Sequence, residues 1–430
     1  MKKDWFVIDI DNNLYNKNID WNMFWANWLN EISQKEFFLY FLDSLKQKNY
    51  NLNLYIHWFF CKSECIYCPY LKIIWKIDHE RIKNNLIKIK KDLQVFIDFL
   101  EDQWIDSKQI KIETVSFWWW TPSYVPYKYL EEISLFLKKN FTFNPKEWTI
   151  EINPTPEDYD NIRQLRKLWL NRISIWIQTF NKEITIKTWR WLKNIEVDKI
   201  IKQAYEDFWN INLDMIYWLP WQTESTLKED LEIINNLSWY INHLSYYPLY
   251  IFPWTILQQN IKQYKDTIYF WDNKINWYNY NKIINFWNII YNKLNKNYEF
   301  YTMDYLRNKE IGKKHLYQIN YLNNKPLLAL GYWYGWTDLT FINNHKYYLY
   351  KNFKHIFFKD ILLSIRLMWL NEWLRKIYNK IPDILNILFK DIKKKKQFLF
   401  IINFLSRNKC QEHYKYQYYL QSLFLDLIKK

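Results

Sequence analysis

Phe117-Trp118-Trp119-Trp120-Thr121-Pro122-Ser123 follows directly on a strand-like run at 112–117. A loop that leaves a strand to wrap a small ligand needs close backbone approach, which glycine permits and indole does not. The chain has 27 Trp and 3 Gly in 430 residues. Together the two make up the usual share of glycine alone, about 7%. The stretch therefore reads as three glycines, with a stop codon reassigned to glycine but decoded as tryptophan. Trp218-Leu219-Pro220-Trp221, Trp189-Arg190-Trp191, Pro253-Trp254-Thr255 and Tyr332-Trp333-Tyr334-Gly335-Trp336 repeat the pattern, with the largest side chain at positions suited to turns. The alternative is a protein rich in genuine tryptophan. Residues keep their printed names below.

Outward from this loop, short β-rich runs alternate with longer helical periods from about residue 50 to 250, the pattern of βαβ units around a parallel sheet. Strands are expected at 52–57, 112–117, 149–152, 172–177, 213–216 and 243–247. Ile82, Leu86, Ile89, Leu93, Ile97 and Leu100 recur at helical spacing. Further helices are expected at 129–139, 198–208 and 224–237. Six such units make an α/β fold, an incomplete TIM-like (β/α)6 barrel, whose functional residues belong at the C-terminal ends of the strands. The division that follows is 1–48 as an extension without a readable motif, 49–258 as the core, and 259–430 as a mainly helical second domain or lid. Helical segments are expected there at 356–374 and 398–404.

Length allows a large core. No apolar run reaches membrane-spanning length, and Asp9 and Asp11 come too early for a secretion signal, so a cytoplasmic protein is expected. The net charge of +15 is spread along the chain apart from the lysine run at 393–396, which reads as a solvated face. Nucleic-acid binding is not expected.

Three of the four cysteines fall within Cys61-Lys62-Ser63-Glu64-Cys65-Ile66-Tyr67-Cys68. Cys410 stands apart and reads as a thiol without a role. Three thiols on one loop point to metal, not to a disulfide framework. On spacing alone two readings stand: an iron–sulfur cube with one iron left open, or a zinc site completed by His57.

The surrounding residues resemble the radical S-adenosylmethionine (SAM) superfamily, in its oxygen-independent coproporphyrinogen-III-oxidase-like branch that includes haem chaperones. The likeness runs from about 54 to 255. It rests on Tyr55-Ile56-His57-Trp58-Phe59-Phe60-Cys61, the cysteine spacing, the 117–123 loop read with glycine, and Glu151-Ile152-Asn153-Pro154. Asn171-Arg172-Ile173-Ser174-Ile175-Trp176-Ile177-Gln178-Thr179-Phe180, Trp189-Arg190, and Asn212-Leu213-Asp214-Met215-Ile216-Tyr217-Trp218-Leu219-Pro220-Trp221-Gln222-Thr223 follow in the family's order. The family's proline two residues before the first cysteine is Phe59 here. The resemblance implies a [4Fe-4S] cluster on Cys61, Cys65 and Cys68, and favours it over zinc. It implies SAM contacts from Tyr55, Tyr67, Trp119, Trp120, Thr121, Glu151, Gln178, Arg190 and Asp214. It further implies an electron donor of flavodoxin or ferredoxin type, and cleavage of SAM to methionine and a 5′-deoxyadenosyl radical. Without it, Glu151 or Asp214 reads equally as a structural ion pair with Arg172 or Arg190.

Dehydrogenases of this branch carry a further cysteine where this chain has Tyr70. That absence leans toward the chaperone-like members, which carry H-N-x-x-Y ahead of a glycine-rich stretch. The nearest counterpart is His315-Leu316-Tyr317-Gln318-Ile319, followed by Ala329-Leu330-Gly331-Tyr332-Trp333. Only the histidine matches, so His315 is the expected haem ligand if haem binds at all; the bland reading is a surface histidine. A haem chaperone, a radical enzyme acting on a porphyrinogen or other substrate, and a cluster-bearing binding protein without SAM chemistry all remain open.

Overall fold

The computed structural model describes residues 29–350, except 58–59, 62, 69–72, 75–78, 119–124, 169, 191–195, 250–254, 265–266, 276–279, 303, 324, 331–334, 337–339 and 344–345. Its centre is a nine-stranded sheet: β1 (Asn51–His57), β2 (Lys111–Trp118), β3 (Thr142–Ile152), β4 (Arg172–Gln178), β5 (Ile211–Tyr217), β6 (His243–Pro248), β7 (Tyr298–Phe300), β8 (Tyr305–Asn308) and β9 (Leu327–Leu330). The spatial order is β7-β8-β6-β5-β4-β3-β2-β1-β9. Strands β1 to β6 run parallel in chain order, and β9 is parallel to β1. Strand β8 returns antiparallel to β6, and β7 antiparallel to β8. The six expected strands are these six, each a residue or more longer. The sheet runs on past residue 258, because β7, β8 and β9 add to both of its edges.

Helices follow the strands: α1 (Gln34–Gln47), α2 (His79–Asp102), α3 (Tyr127–Asn140), α4 (Pro156–Arg163), α5 (Lys182–Lys187), α6 (Val197–Phe208), α7 (Glu224–Asn236), α8 (Tyr280–Leu294) and α9 (Leu316–Leu322). The apolar positions read at helical spacing in α2 are all buried, with Phe96 added to the stripe. Helix α1, in the stretch without a readable motif, opens on a capping box between Ser33 and Glu36. It buries Phe37 and Phe41 in the same core, Phe41 edge-on to Phe96 at 5.7 Å. Each such ring contributes about 1.5–3 kcal/mol by burial. Of the mainly helical domain expected after 258, strands and helices alternate up to 350, and the segments at 356–374 and 398–404 lie outside the described residues.

The strands alternate with period two. In β4, Ile173, Ile175 and Ile177 meet the helices while Arg172 and Ser174 face the other way; in β5, Leu213 and Met215 oppose Asn212 and Asp214. Parallel strands covered on both faces are usually apolar throughout. Here one covered face is polar, and it is the face that matters. A row of rings closes over it: Tyr305 of β8 meets His315, His315 meets Tyr317 of α9, and Tyr317 packs on Tyr55 of β1.

The backbone also speaks to the tryptophans. Nine non-glycine residues among those described have positive φ, and six are Trp: Trp104, Trp189, Trp209, Trp218, Trp221 and Trp271. Positive φ is unfavourable for a bulky residue and ordinary for glycine. Trp209 caps α6 at φ 58°, where a helix most often ends on glycine. Trp104 is 96% exposed just beyond α2. This is the backbone that glycine would take.

Candidate SAM and cluster site

The cysteine loop begins at Cys61, which ends a two-residue strand, Phe60–Cys61, paired with Ile73–Ile74. It then turns through Ile66 and Tyr67, with the Cys68 amide donating to the Cys65 carbonyl at 3.0 Å. Cys61 and Cys65 are buried and Cys68 is partly exposed, none of the three in a disulfide. Ile66 anchors the loop. Its amide donates to Thr188 (3.2 Å), its carbonyl accepts from the Leu257 amide (2.8 Å), and its side chain joins Ile184, Leu219, Leu249 and Leu257 in a small apolar cluster.

Arg190, buried at the end of the α5 turn, bridges this loop to the strand ends. Its guanidinium donates toward Cys65 Sγ (3.9 Å), Asn153 Oδ1 (3.4 Å) and the Trp176 carbonyl. Burial alone would lower its pKa, but Tyr67, Cys65 and Cys61 outweigh that and hold it above its ordinary value. Burial, with Cys65 next, pushes the Tyr67 phenol well up. Arg190 places a fixed cation within reach of Cys65, and thiolates are the groups that hold iron. The donor set thus fits a three-thiolate cluster. Among the described residues no three His, Cys, Asp or Glu side chains are already gathered as a metal-holding group. The zinc alternative does not gain: His57 Nδ1 lies 3.0 Å from the Tyr55 hydroxyl, and His57 is not gathered with the cysteines among the described residues.

Tyr55, Glu151 and Gln178 lie on β1, β3 and β4, buried on or at the end of the polar face. Gln178 ends β4 in a register irregularity with φ 68°, and its Oε1 is buried without a hydrogen-bond partner. Ser116 Oγ on β2 and Arg190 Nε are among the other buried side-chain atoms in that condition. An unpaired buried polar atom costs about 1–3 kcal/mol, so Gln178 Oε1 and Arg190 Nε, at the strand end that Arg190 bridges to the cysteine loop, mark a place suited to a ligand. Sequence reasoning missed Ser116 and Asn153; the period-two alternation of polar residues in buried parallel strands was the signal. Trp119, Trp120, Thr121 and Tyr70 lie outside the described residues.

Asp214 and His315 sit differently. Asp214 accepts from Ser174, and burial raises its pKa against Ser174, Arg172, Ser245 and Asn212. Arg172 bears on Asp214 through its charge, and Asp214 sits within an existing network of Ser174, Ser245 and Asn212. His315, read as a surface residue or a haem ligand, is 2% exposed. Its Nε2 lies 3.4 Å from Glu147, and its ring is 5.9 Å from that of His243. Burial, then Arg172 and His243, lower its pKa well below the ordinary value. The surface reading is wrong because α9 folds back across the polar face. His243, Tyr305, Tyr317 and Glu147 enclose this imidazole.

Residues 55–234 match the model of the Radical SAM superfamily, and the chain carries a radical SAM domain. Among curated relatives it is 28% identical over 206 residues to a heme chaperone HemW of Buchnera aphidicola, covering 47% of this chain and 51% of that one. It is 27% identical over 198 residues to an oxygen-independent coproporphyrinogen III oxidase of Pseudomonas aeruginosa, covering 45% and 42%. The matches span about half the length of these relatives. In fold it is similar to coproporphyrinogen III oxidase (HemN) from Escherichia coli, with a TM-score of 0.63, 18% identity, and coverage of 79% of this chain and 80% of that one. The match to the Radical SAM superfamily implies a [4Fe-4S] cluster and SAM. No helix among the described residues is long and apolar enough to cross a membrane.

Proposed function

We propose that this chain holds a [4Fe-4S] cluster on Cys61, Cys65 and Cys68 and binds SAM at the C-terminal ends of β1 to β5. When bound, the cluster and SAM supply reductive cleavage of the sulfonium. The protein's own residues bind and orient. Arg190 keeps a positive charge beside the thiols, and Tyr55 and Tyr67 wall the site with buried rings. Glu151 offers a carboxylate for hydroxyl or ammonium donors, and the Trp119, Trp120 and Thr121 loop supplies backbone groups. The observation that carries this is Arg190, whose buried guanidinium reaches both Cys65 Sγ and the Trp176 carbonyl near the end of β4, while its Nε and the Gln178 Oε1 at that strand end have no partner. Electrons come from a flavodoxin- or ferredoxin-type donor, in the reducing cytoplasm that free thiols favour. Anaerobic reconstitution followed by assays for iron, SAM binding and deoxyadenosine tests this. A protein that takes up iron and binds SAM supports it, and one that does neither refutes it.

The likeness to heme chaperones makes haem delivery the reading of purpose to test first, with a porphyrinogen substrate second. Saturable haem uptake without substrate-dependent deoxyadenosine selects the first, and the reverse selects the second.

A further inference from the structure

One carboxylate ties together the loops that leave β4 and β5. Asp230 on α7, 1% exposed, accepts from the Phe180 amide (2.8 Å), from the Thr179 hydroxyl (2.8 Å) and from the Gln222 side-chain amide (3.4 Å). Gln222 in turn accepts the Leu219 amide on its Oε1 at 3.2 Å, which closes the turn after β5. Immediately before Thr179 stands Gln178, in the left-handed region at φ 68° and beside a register irregularity. A non-glycine residue stays there only when its surroundings over-determine it, and such strain gathers at functional sites.

We propose that Asp230 is a positioning residue for the SAM site: it fixes Thr179 and Phe180 so that Gln178 keeps its left-handed backbone and presents its side-chain oxygen inward, in step with the Leu219–Gln222 turn. This rests on the SAM-site reading above. Asp230 reaches no ligand itself. It acts through the backbone that follows Gln178 on one side and through Gln222 on the other. The titratable groups that bear on it are Glu229, its neighbour on α7, and Tyr246 of β6, whose phenol is pushed up by burial and then by Asp230. Burial carries the Asp230 carboxyl up to about 7, against the pull of its three donors. A raised carboxyl pKa favours the protonated folded form, so this contribution to stability is full below about pH 4 and lost as pH rises through about 7. The charged form binds its donors more strongly, so the latch tightens over the range in which the fold loses that contribution.

The test uses SAM equilibrium dialysis on cluster-reconstituted protein, with hydrogen exchange of the peptide covering 178–182. Asp230→Ala is expected to weaken SAM binding about tenfold and to speed exchange at Phe180, with iron content unchanged. Asp230→Asn should recover part of both, because its amide oxygen still accepts the Phe180 amide, and should lose the rise in SAM affinity between pH 6 and 8 expected of wild type. Thr179→Val, which removes one donor, should act in the same direction more weakly, and carries the test if Asp230→Ala does not fold. A lowered melting temperature with SAM affinity changed less than about twofold would overturn the proposal and leave Asp230 a purely structural residue. If wild type binds iron but no SAM, the reading beneath it fails and the proposal with it.

Discussion

The two ends of the polar face differ in how their buried groups are satisfied. Toward the N-terminal ends of the strands the groups are spent on the fold. Glu147 accepts the Leu316 and Tyr317 amides at 2.9 Å each, at the start of α9. Glu113 holds Lys146 and Lys325 at 3.0 Å and Asn320 at 3.1 Å, and Asn53 accepts from Thr114 and Asn320. Toward the C-terminal ends, Ser116, Gln178 and Arg190 each keep a buried atom without a partner. One end spends most of its polar groups on holding α9 in place, with Asn320 Oδ1 left over, and the other keeps Gln178 and Arg190 atoms for something that arrives. That contrast separates stability from function within a single fold, as barrel enzymes do.

The largest effect should come from the loop beside the waiting end. Cys61→Ala, Cys65→Ala and Cys68→Ala are each expected to abolish the cluster's visible absorption and deoxyadenosine formation after anaerobic reconstitution; a variant retaining both would remove that cysteine from the ligand set. Next, Gln178→Ala and Arg190→Gln should each weaken SAM binding about ten- to hundredfold, the equivalent of about 1.5–3 kcal/mol for hydrogen bonds to charged groups. Their melting temperatures should move little compared with Glu147→Ala. That third variant strands two amides of α9 and should cost about 1–3 kcal/mol of stability, seen in the denaturant midpoint, with SAM affinity retained. If Glu147→Ala impaired binding as much as Gln178→Ala, the division between the two ends would not hold.

Two smaller effects sharpen the picture. At Trp104 and Trp209, replacement by glycine should stabilise the printed chain by about 1 kcal/mol each, by relieving left-handed backbone. The mass of the native peptide spanning 117–123 should correspond to three glycines; three indoles would end the recoding reading. Smallest is the titration of His57. Burial pushes its pKa from 6.5 down to about 3, so its contribution to stability is present above about pH 6.5 and lost as pH falls toward 3. Relative to wild type, His57→Gln should therefore gain stability over that window in pH-dependent unfolding.

Much of this was legible in the residues. Ile173, Ile175 and Ile177 alternating with polar neighbours placed β4, and the spacing of Ile82 through Leu100 placed α2, because burial on one side leaves a period in the sequence. The cysteine loop was legible because three thiols in eight positions have few other uses. Less visible was everything joined over long separations. Glu147 and α9 lie about 170 residues apart in sequence, Asn53 and Asn320 267 apart. No local period predicts that His315 is enclosed, or that β7, β8 and β9 extend the sheet past the expected boundary at 258. Helix α1 escaped notice because its Phe-rich face lies among residues without a motif, although the Ser33–Glu36 capping box was there to be read.

The most direct measurement is SAM binding by equilibrium dialysis, in parallel with denaturant melts, for cluster-reconstituted wild type, Gln178→Ala and Glu147→Ala. The expected result is a crossed pattern, in which Gln178→Ala loses SAM affinity but not stability and Glu147→Ala loses stability but not affinity. Equal effects of both variants on both readouts, or a wild type that holds iron without binding SAM, would contradict a SAM site at the C-terminal ends of the strands.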